Sequence, residues 1–303
     1  MTAISRCTEW WALPTSGAAL DGGTDEWVDG DGVQLHFVTL GSGPLVVLLH
    51  GFPDFWYGWR HQLAPLAAAG FRVVALDLRG YNLSERPARV EDYALRRVSD
   101  DVAAAIERLG GPARLVVGHD WGGVVAWRLS VTRPDVLERL AILNAPHPAR
   151  FRELLLRGSQ ILRSWYVAAF QIPRLPERVL RWRDGAAIET MLRATHARAP
   201  SAVELAAYRD AFRPPGAIEA ALAYYRALRR HALRRDEREV RPTPHPTLVL
   251  WGGHDPALVR ANAERLERWV PDLRVLRVPD AGHFVQADAP DAVNDALLRF
   301  VSR

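Results

Sequence analysis

The segment Gly118-His119-Asp120-Trp121-Gly122-Gly123 places an aspartate between glycines directly after the apolar run Leu115–Val117. A buried strand that enters a glycine-flanked turn and then a helix leaves the central side chain exposed, as in Gly-x-nucleophile-x-Gly turns. Here the central group is a carboxylate instead of a hydroxyl. With an ordinary pKa of ~4 it is ionised at neutral pH and needs no base to activate it. It suits displacement at a strained or activated sp3 carbon better than attack on an ester or amide. The product would be an ester of the protein's own carboxyl group. Hydrolysing that ester requires a water, a general base and donors for the oxyanion.

Candidates for each follow the same strand-end rule. Asp255, in Gly252-Gly253-His254-Asp255-Pro256, follows the apolar run Thr247–Leu250, and His283, in Ala281-Gly282-His283-Phe284, follows Leu273–Val278. Nucleophile, acid and histidine thus occur in the chain order of this type of site. His283 is expected to activate the water, and Asp255 to orient its ring and stabilise the imidazolium. Upstream, His50-Gly51-Phe52-Pro53 follows Leu45–Leu49. Its turn would aim the Phe52 backbone N–H at an oxyanion, with the Trp121 N–H as the second donor. Singly, each residue has an ordinary use: Asp120 as a helix N-cap, His283 in a loop, Asp255 in an Asp-Pro turn. Their joint placement at strand ends argues for chemistry.

The elements that must hold these groups are legible as a rhythm. Apolar runs at Leu45–Leu49, Val73–Leu76, Leu115–Val117, Leu140–Leu143 and Thr247–Leu250, together with Leu273–Val278, which is interrupted by Arg274 and Arg277, read as strands buried on both faces of a parallel sheet. Asp101–Leu109 and Ala257–Trp269 have helical spacing, and a helix is expected from near Val124. Two shorter strands, near Trp27-Val28 and over Val33 to Thr39, flank the turn sequence Asp29-Gly30-Asp31-Gly32. Alternation of strand and helix predicts an α/β fold with a mostly parallel central sheet flanked by helices. The rhythm stops between Pro146 and Pro246, where helix-like runs and prolines replace strand signals. The predicted organisation is an irregular lead-in over residues 1–25, a core over 26–145 and 246–303, and a helical cap inserted at 146–245.

Over about residues 27 to 301 the chain resembles the α/β-hydrolase superfamily. His50-Gly51-Phe52-Pro53, Asp77-Leu78-Arg79-Gly80-Tyr81, Gly118-His119-Asp120-Trp121-Gly122-Gly123 and Gly282-His283 together resemble its epoxide hydrolase branch. That resemblance implies hydrolysis of an epoxide to a vicinal diol through a covalent aspartyl ester. It also implies two cap tyrosines that hold and protonate the epoxide oxygen. Ser164-Trp165-Tyr166-Val167 and Leu222-Ala223-Tyr224-Tyr225-Arg226 resemble the segments that bear them, which points to Tyr166 and Tyr225. The chemistry agrees, because a phenol of pKa ~10 can protonate an alkoxide at neutral pH. Ile218, Ala221, Leu222 and Tyr225 share one helical face, with Tyr224 about 100° away. One departure is Phe284, where relatives often carry tryptophan after the histidine.

Phe52, Trp121, Phe170 and Phe284 are expected to wall an apolar pocket, favouring a lipophilic epoxide. A haloalkane or haloacetate dehalogenase could use the same Asp-His-Asp set, with Trp121 as one halide donor and Trp165 or Trp182 as candidates for the second. A non-catalytic binding protein on this scaffold is the alternative of another class. No residues have metal-ligand spacing, so no metal or organic cofactor is expected.

Composition sets the remaining limits. The 303 residues are 49% hydrophobic and 24% charged, as in ordinary globular chains. The lone cysteine, Cys7, forbids an intrachain disulfide and suits a reducing compartment. Net charge is +4, with every basic residue an arginine. The densest run, Arg229 to Arg235, is interleaved with Asp236, Glu237 and Glu239 and reads as a solvated helix face, not a nucleic-acid surface. Residues 1–13 lack a signal-peptide pattern, and no stretch has the length of a membrane span. The expectation is a cytoplasmic monomer or homodimer acting on a small molecule and water.

Overall fold

The computed structural model describes residues 16–17, 20–231 and 241–302. Cys7 and the stretch from Arg234 to Glu239 lie outside the described residues. Eight strands form one sheet in the order β1-β2-β4-β3-β5-β6-β7-β8. They are β1 (Thr24–Asp29), β2 (Gln34–Leu40), β3 (Leu45–Leu49), β4 (Arg72–Leu76), β5 (Leu115–His119), β6 (Leu140–Leu143), β7 (Thr247–Gly252) and β8 (Leu273–Val278). β1 and β2 run antiparallel to their neighbours, and every other pairing is parallel.

The core strands are fully buried because they carry apolar side chains on both faces and helices cover both. On the core side these helices include α1 (Arg60–Ala68), α2 (Leu95–Arg108) and α3 (Trp121–Thr132). Register aligns the strand ends: Leu49 pairs with Gly118, His119 with Leu143, and Leu143 with Leu250. The loops after β3, β5, β6 and β7 therefore open side by side along one sheet edge. After β3 the chain turns outward to β4 and then crosses back to β5, so the sheet order reverses at β3/β5. Open α/β sheets hold their sites at such a reversal.

Between β6 and β7 the described residues form helices only: α4 (Pro148–Leu156), α5 (Trp165–Ala169), α6 (Leu175–Arg181), α7 (Ala186–Thr195), α8 (Ala202–Phe212) and α9 (Ala217–His231). The start of α8 is fixed by sequence, because Ser201 and Glu204 form a reciprocal capping box. α9 is anchored to the sheet domain by the Tyr224 hydroxyl, which donates to the Arg79 carbonyl at 2.9 Å. Arg79 is itself buried against Asp101 at 2.5 Å. Arg230, from the basic run, pairs with Glu91.

Two expectations need correction. Ala257–Trp269 is irregular apart from the 3-10 turn Arg260–Ala263. Long-range and local side chains take its backbone groups: Asp255 Oδ1 accepts from the N–H groups of Ala257 and Leu258, Gln160 Oε1 accepts from Val259, and Arg150 donates to the Ala261 carbonyl. These bonds replace the i to i+4 ladder that the apolar spacing suggested. β8 is a strand, but it is not buried on both faces. It pairs only with β7 at the sheet edge and is largely exposed. The chain closes with α10 (Val285–Asp288) and α11 (Pro290–Val301), which returns onto α1.

Candidate active site

Asp120 sits at the turn between β5 and α3 with φ 48° and ψ −117°. A non-glycine residue held there costs on the order of 1–3 kcal/mol, so the surroundings must impose it. Tight glycine contacts do so. A Cβ on Gly122 would lie 2.2 Å from the Leu49 carbonyl oxygen, and one on Gly51 would lie 2.4 Å from the Asp120 Cβ. The helix starts at Trp121, three residues before the position expected from sequence, and the Asp120 side chain makes no capping bond to it. The carboxylate is thus turned away from the helix end it could have served.

Its two oxygens face different partners. Oδ1 accepts the Phe52 N–H at 2.9 Å. Oδ2 lies 3.6 Å from His283 Nε2. The other ring nitrogen, His283 Nδ1, bonds to Asp255 Oδ2 at 2.7 Å. The sheet edge thus brings together Asp120, Asp255, His283 and Phe52 from four separate loops. His50 shapes the Phe52 turn from below: fully buried, it bonds the Gly51 carbonyl through Nδ1 at 2.9 Å and accepts the Leu78 N–H on Nε2 at 3.1 Å. Burial lowers its pKa and keeps it neutral for this pairing.

Two further residues fix the triad from behind. Asn144, just past β6, donates to Asp255 Oδ2 at 2.7 Å and accepts the Gly252 N–H at 2.8 Å. Its φ of 40° is one that asparagine tolerates better than most residues. Sequence reasoning missed it. The available signal was an asparagine directly after a buried strand at the same sheet edge. His119 bonds the His283 carbonyl through Nε2 at 3.0 Å, holding the histidine loop against β5. Burial, aided by the His283 charge, lowers the His119 pKa to about 3.

The charges oppose burial. Desolvation would lower the His283 pKa, but Asp255 and Asp120 on its two sides raise it to about 10. Burial likewise opposes ionisation of Asp120 and Asp255, yet His283 and the hydrogen bonds to each hold both below the usual carboxylate range. The resting arrangement is an imidazolium between two carboxylates.

Above this edge lies a cavity of about 490 Å³ whose lining includes Asp120, His283, Tyr166 and Tyr225. Tyr166 comes from α5 and Tyr225 from α9, with ring centroids 6.0 Å apart. Burial, then the Asp120 charge, pushes both phenols above their ordinary pKa. Phe52, Phe170 and Phe284 line the cavity, whereas Trp121 does not. Its indole stands behind Tyr225, edge-on at 5.1 Å, where the side chain of the first α3 residue meets α9. Trp165 lines the cavity, but Trp182 does not.

The alpha/beta hydrolase fold model matches residues 44–290. AB hydrolase superfamily protein YfhM of Bacillus subtilis (strain 168) is 38% identical over 93% of this chain and 99% of its own length. Epoxide hydrolase 4 of Mus musculus is 35% identical, covering 89% of this chain and 77% of that protein. Among solved structures, a mutant of an epoxide hydrolase from Bacillus megaterium superposes with a TM-score of 0.83 at 30% identity, over 92% of this chain and all of that one.

Proposed function

The chain belongs to the α/β-hydrolase family, on its epoxide hydrolase branch, and from that premise we propose that it opens epoxides to vicinal diols through an ester on Asp120. The observation that carries this is one cavity with an ionised aspartate at its floor and two phenols of raised pKa in its lining. A hydrolase that begins with a hydroxyl nucleophile has no use for the first, and a carboxylate that displaces at carbon needs a proton donor for the leaving oxygen.

In the first half-reaction Asp120 Oδ2 attacks an epoxide carbon, and the ring C–O bond breaks toward the oxygen held by Tyr166 and Tyr225. The alkoxide takes a phenolic proton, and the phenol is made good from the His283 imidazolium. Oδ1 becomes the ester carbonyl oxygen, already bonded to the Phe52 N–H. Loss of the Asp120 charge lowers the proton affinity of His283, which leaves a neutral imidazole in place. In the second half-reaction His283 takes a proton from water, and the hydroxide attacks the Asp120 carbonyl carbon. The N–H groups of Phe52 and Trp121 stabilise the oxyanion. The Cγ–Oδ2 bond breaks, the diol leaves with Oδ2 and a proton, and water supplies the new carboxylate oxygen. Asp255, held by Asn144, keeps the imidazole oriented throughout. The helices α4 to α9 act as the cap that brings the phenols over the nucleophile and excludes bulk water.

Halide displacement would use the same carboxylate. It calls for N–H donors; the cavity lining holds one indole, Trp165, which is largely exposed, against the two phenols Tyr166 and Tyr225, both raised in pKa by burial, so the epoxide reading is preferred. The test is a screen of styrene-type, aliphatic and fatty-acid epoxides with diol detection, alongside halide-release assays. Diol from wild type and none from Asp120→Ala supports the proposal. Halide release without diol formation overturns it.

A further inference from the structure

Of the thirteen exposed large apolar side chains among the described residues, eight fall between Leu156 and Trp182. They are not scattered. Trp165, Ile172, Leu175 and Val179 are exposed and also line the cavity, so they form its mouth. Leu175, Val179 and Trp182 recur at i, i+4 and i+7 along α6 and its end, which puts them on one stripe. Leu162 lies one turn before Trp165 and is 82% exposed, and Trp182 is 60% exposed. A water-facing cavity mouth gains nothing from such a rim. Large exposed apolar patches mark contact surfaces.

Among the described residues, the charges beside this rim that no ion pair uses are of one sign. Arg174, Arg178 and Arg183 are exposed, and no ion pair among the described residues uses them. The neighbouring carboxylates are committed elsewhere: Glu177 pairs with Arg226, and Asp184 with Arg209 and Arg213. Arg183 stacks over the Trp182 ring at 4.4 Å. An apolar stripe with tryptophans and a fringe of arginines matches an anionic lipid surface, whose headgroups attract the cations while the apolar side chains enter the acyl boundary. A second copy fits worse. A two-fold contact sets the same patch against itself and would bring these arginines together. No helix among the described residues is long and apolar enough to cross a membrane, so the contact would be peripheral.

We propose that the cap docks by this rim on anionic lipid bilayers, with the cavity mouth facing the membrane so that lipophilic substrate enters from the lipid phase. The purified full chain is sedimented with vesicles of phosphatidylcholine alone or with added phosphatidylglycerol, at low and high salt. Wild type should partition more strongly to the anionic vesicles, and salt should weaken this. The double variant Leu162→Gln/Trp182→Gln, at exposed positions off the cavity lining, should lower partitioning on the order of 100-fold. Arg178→Gln should lower it by roughly fivefold on anionic vesicles only. All variants should turn over a water-soluble epoxide at the wild-type rate. Equal partitioning of wild type and the double variant overturns the proposal, as does no sedimentation. A dimer in light scattering that the double variant dissolves overturns it in favour of a second copy. Sedimentation is independent of turnover: a chain that docks but forms no diol contradicts the function proposed above and leaves the docking standing.

Discussion

Replacing Asp120 by asparagine keeps the shape of the side chain and removes its charge, as esterification does in the proposed cycle. His283 Nε2 lies 3.6 Å from Asp120 Oδ2. At an effective dielectric of about 20, a charge pair at that distance is worth about 5 kcal/mol, or roughly 3 pKa units. The His283 pKa, held at about 10 in the native protein, should therefore fall to about 7 in Asp120→Asn. That change matters for mechanism. An imidazole with pKa about 10 is protonated at neutral pH and cannot accept a proton from water, whereas one near 7 can. The carboxylate thus blocks its own base until it is alkylated. The assay is a titration of the ring nitrogens by nitrogen-15 NMR in wild type and Asp120→Asn, with His283→Gln assigning the signal. A His283 pKa in Asp120→Asn within one unit of wild type would refute the reasoning.

Further outcomes follow from other contacts. Tyr166→Phe and Tyr225→Phe should each slow single-turnover alkylation by roughly 10- to 1,000-fold while leaving circular dichroism unchanged. Asn144→Ala removes the donor to Asp255 Oδ2 and the acceptor for Gly252 N–H; kcat should fall on the order of 10- to 100-fold with little change in KM. His36 is buried between Asp25 and Asp77, which overcome desolvation and raise its pKa to about 9. Because the folded pKa is raised, this stabilisation is complete below the unfolded value of about 6.5 and is lost as pH rises through about 9. Denaturant midpoints should show the gap between wild type and His36→Asn narrowing across that window.

The sheet and the elbow were legible because both follow from local sequence. Leu115–Val117 followed by Gly118 and Gly122-Gly123 specifies a buried strand and a tight turn, with few alternatives for a side chain at Asp120. Strand ends alone placed Asp255 and His283 on the same edge. What was not legible depends on partners distant in the chain. Asn144 meets Asp255 across 111 residues. The apolar spacing of Ala257–Trp269 suggested a helix, but Arg150 of α4 and Gln160 of the turn after it bind its backbone and hold it irregular. Trp121 was expected in the cavity wall because it adjoins the nucleophile. A residue at the start of a helix points where the packing against α9 allows, and here Tyr225 takes the inner position. Leu273–Val278 carries Arg274 and Arg277 among its six residues, a sign of exposure that the sequence already held, and the strand order shows that it has one neighbour.

The most direct test of the covalent ester is intact-mass analysis of His283→Gln after mixing with an epoxide that wild type turns over. Ring opening needs only Asp120 and the phenols, and water can return the phenolic proton where His283 is missing, so this variant should gain the mass of one substrate molecule, and peptide mapping should place it on Asp120. Asp120→Ala should gain none. In heavy-oxygen water, the diol from the first wild-type turnover should carry an unlabelled oxygen taken from Asp120. An unmodified His283→Gln protein, together with solvent label in that first diol, would contradict the ester and point to direct attack of water.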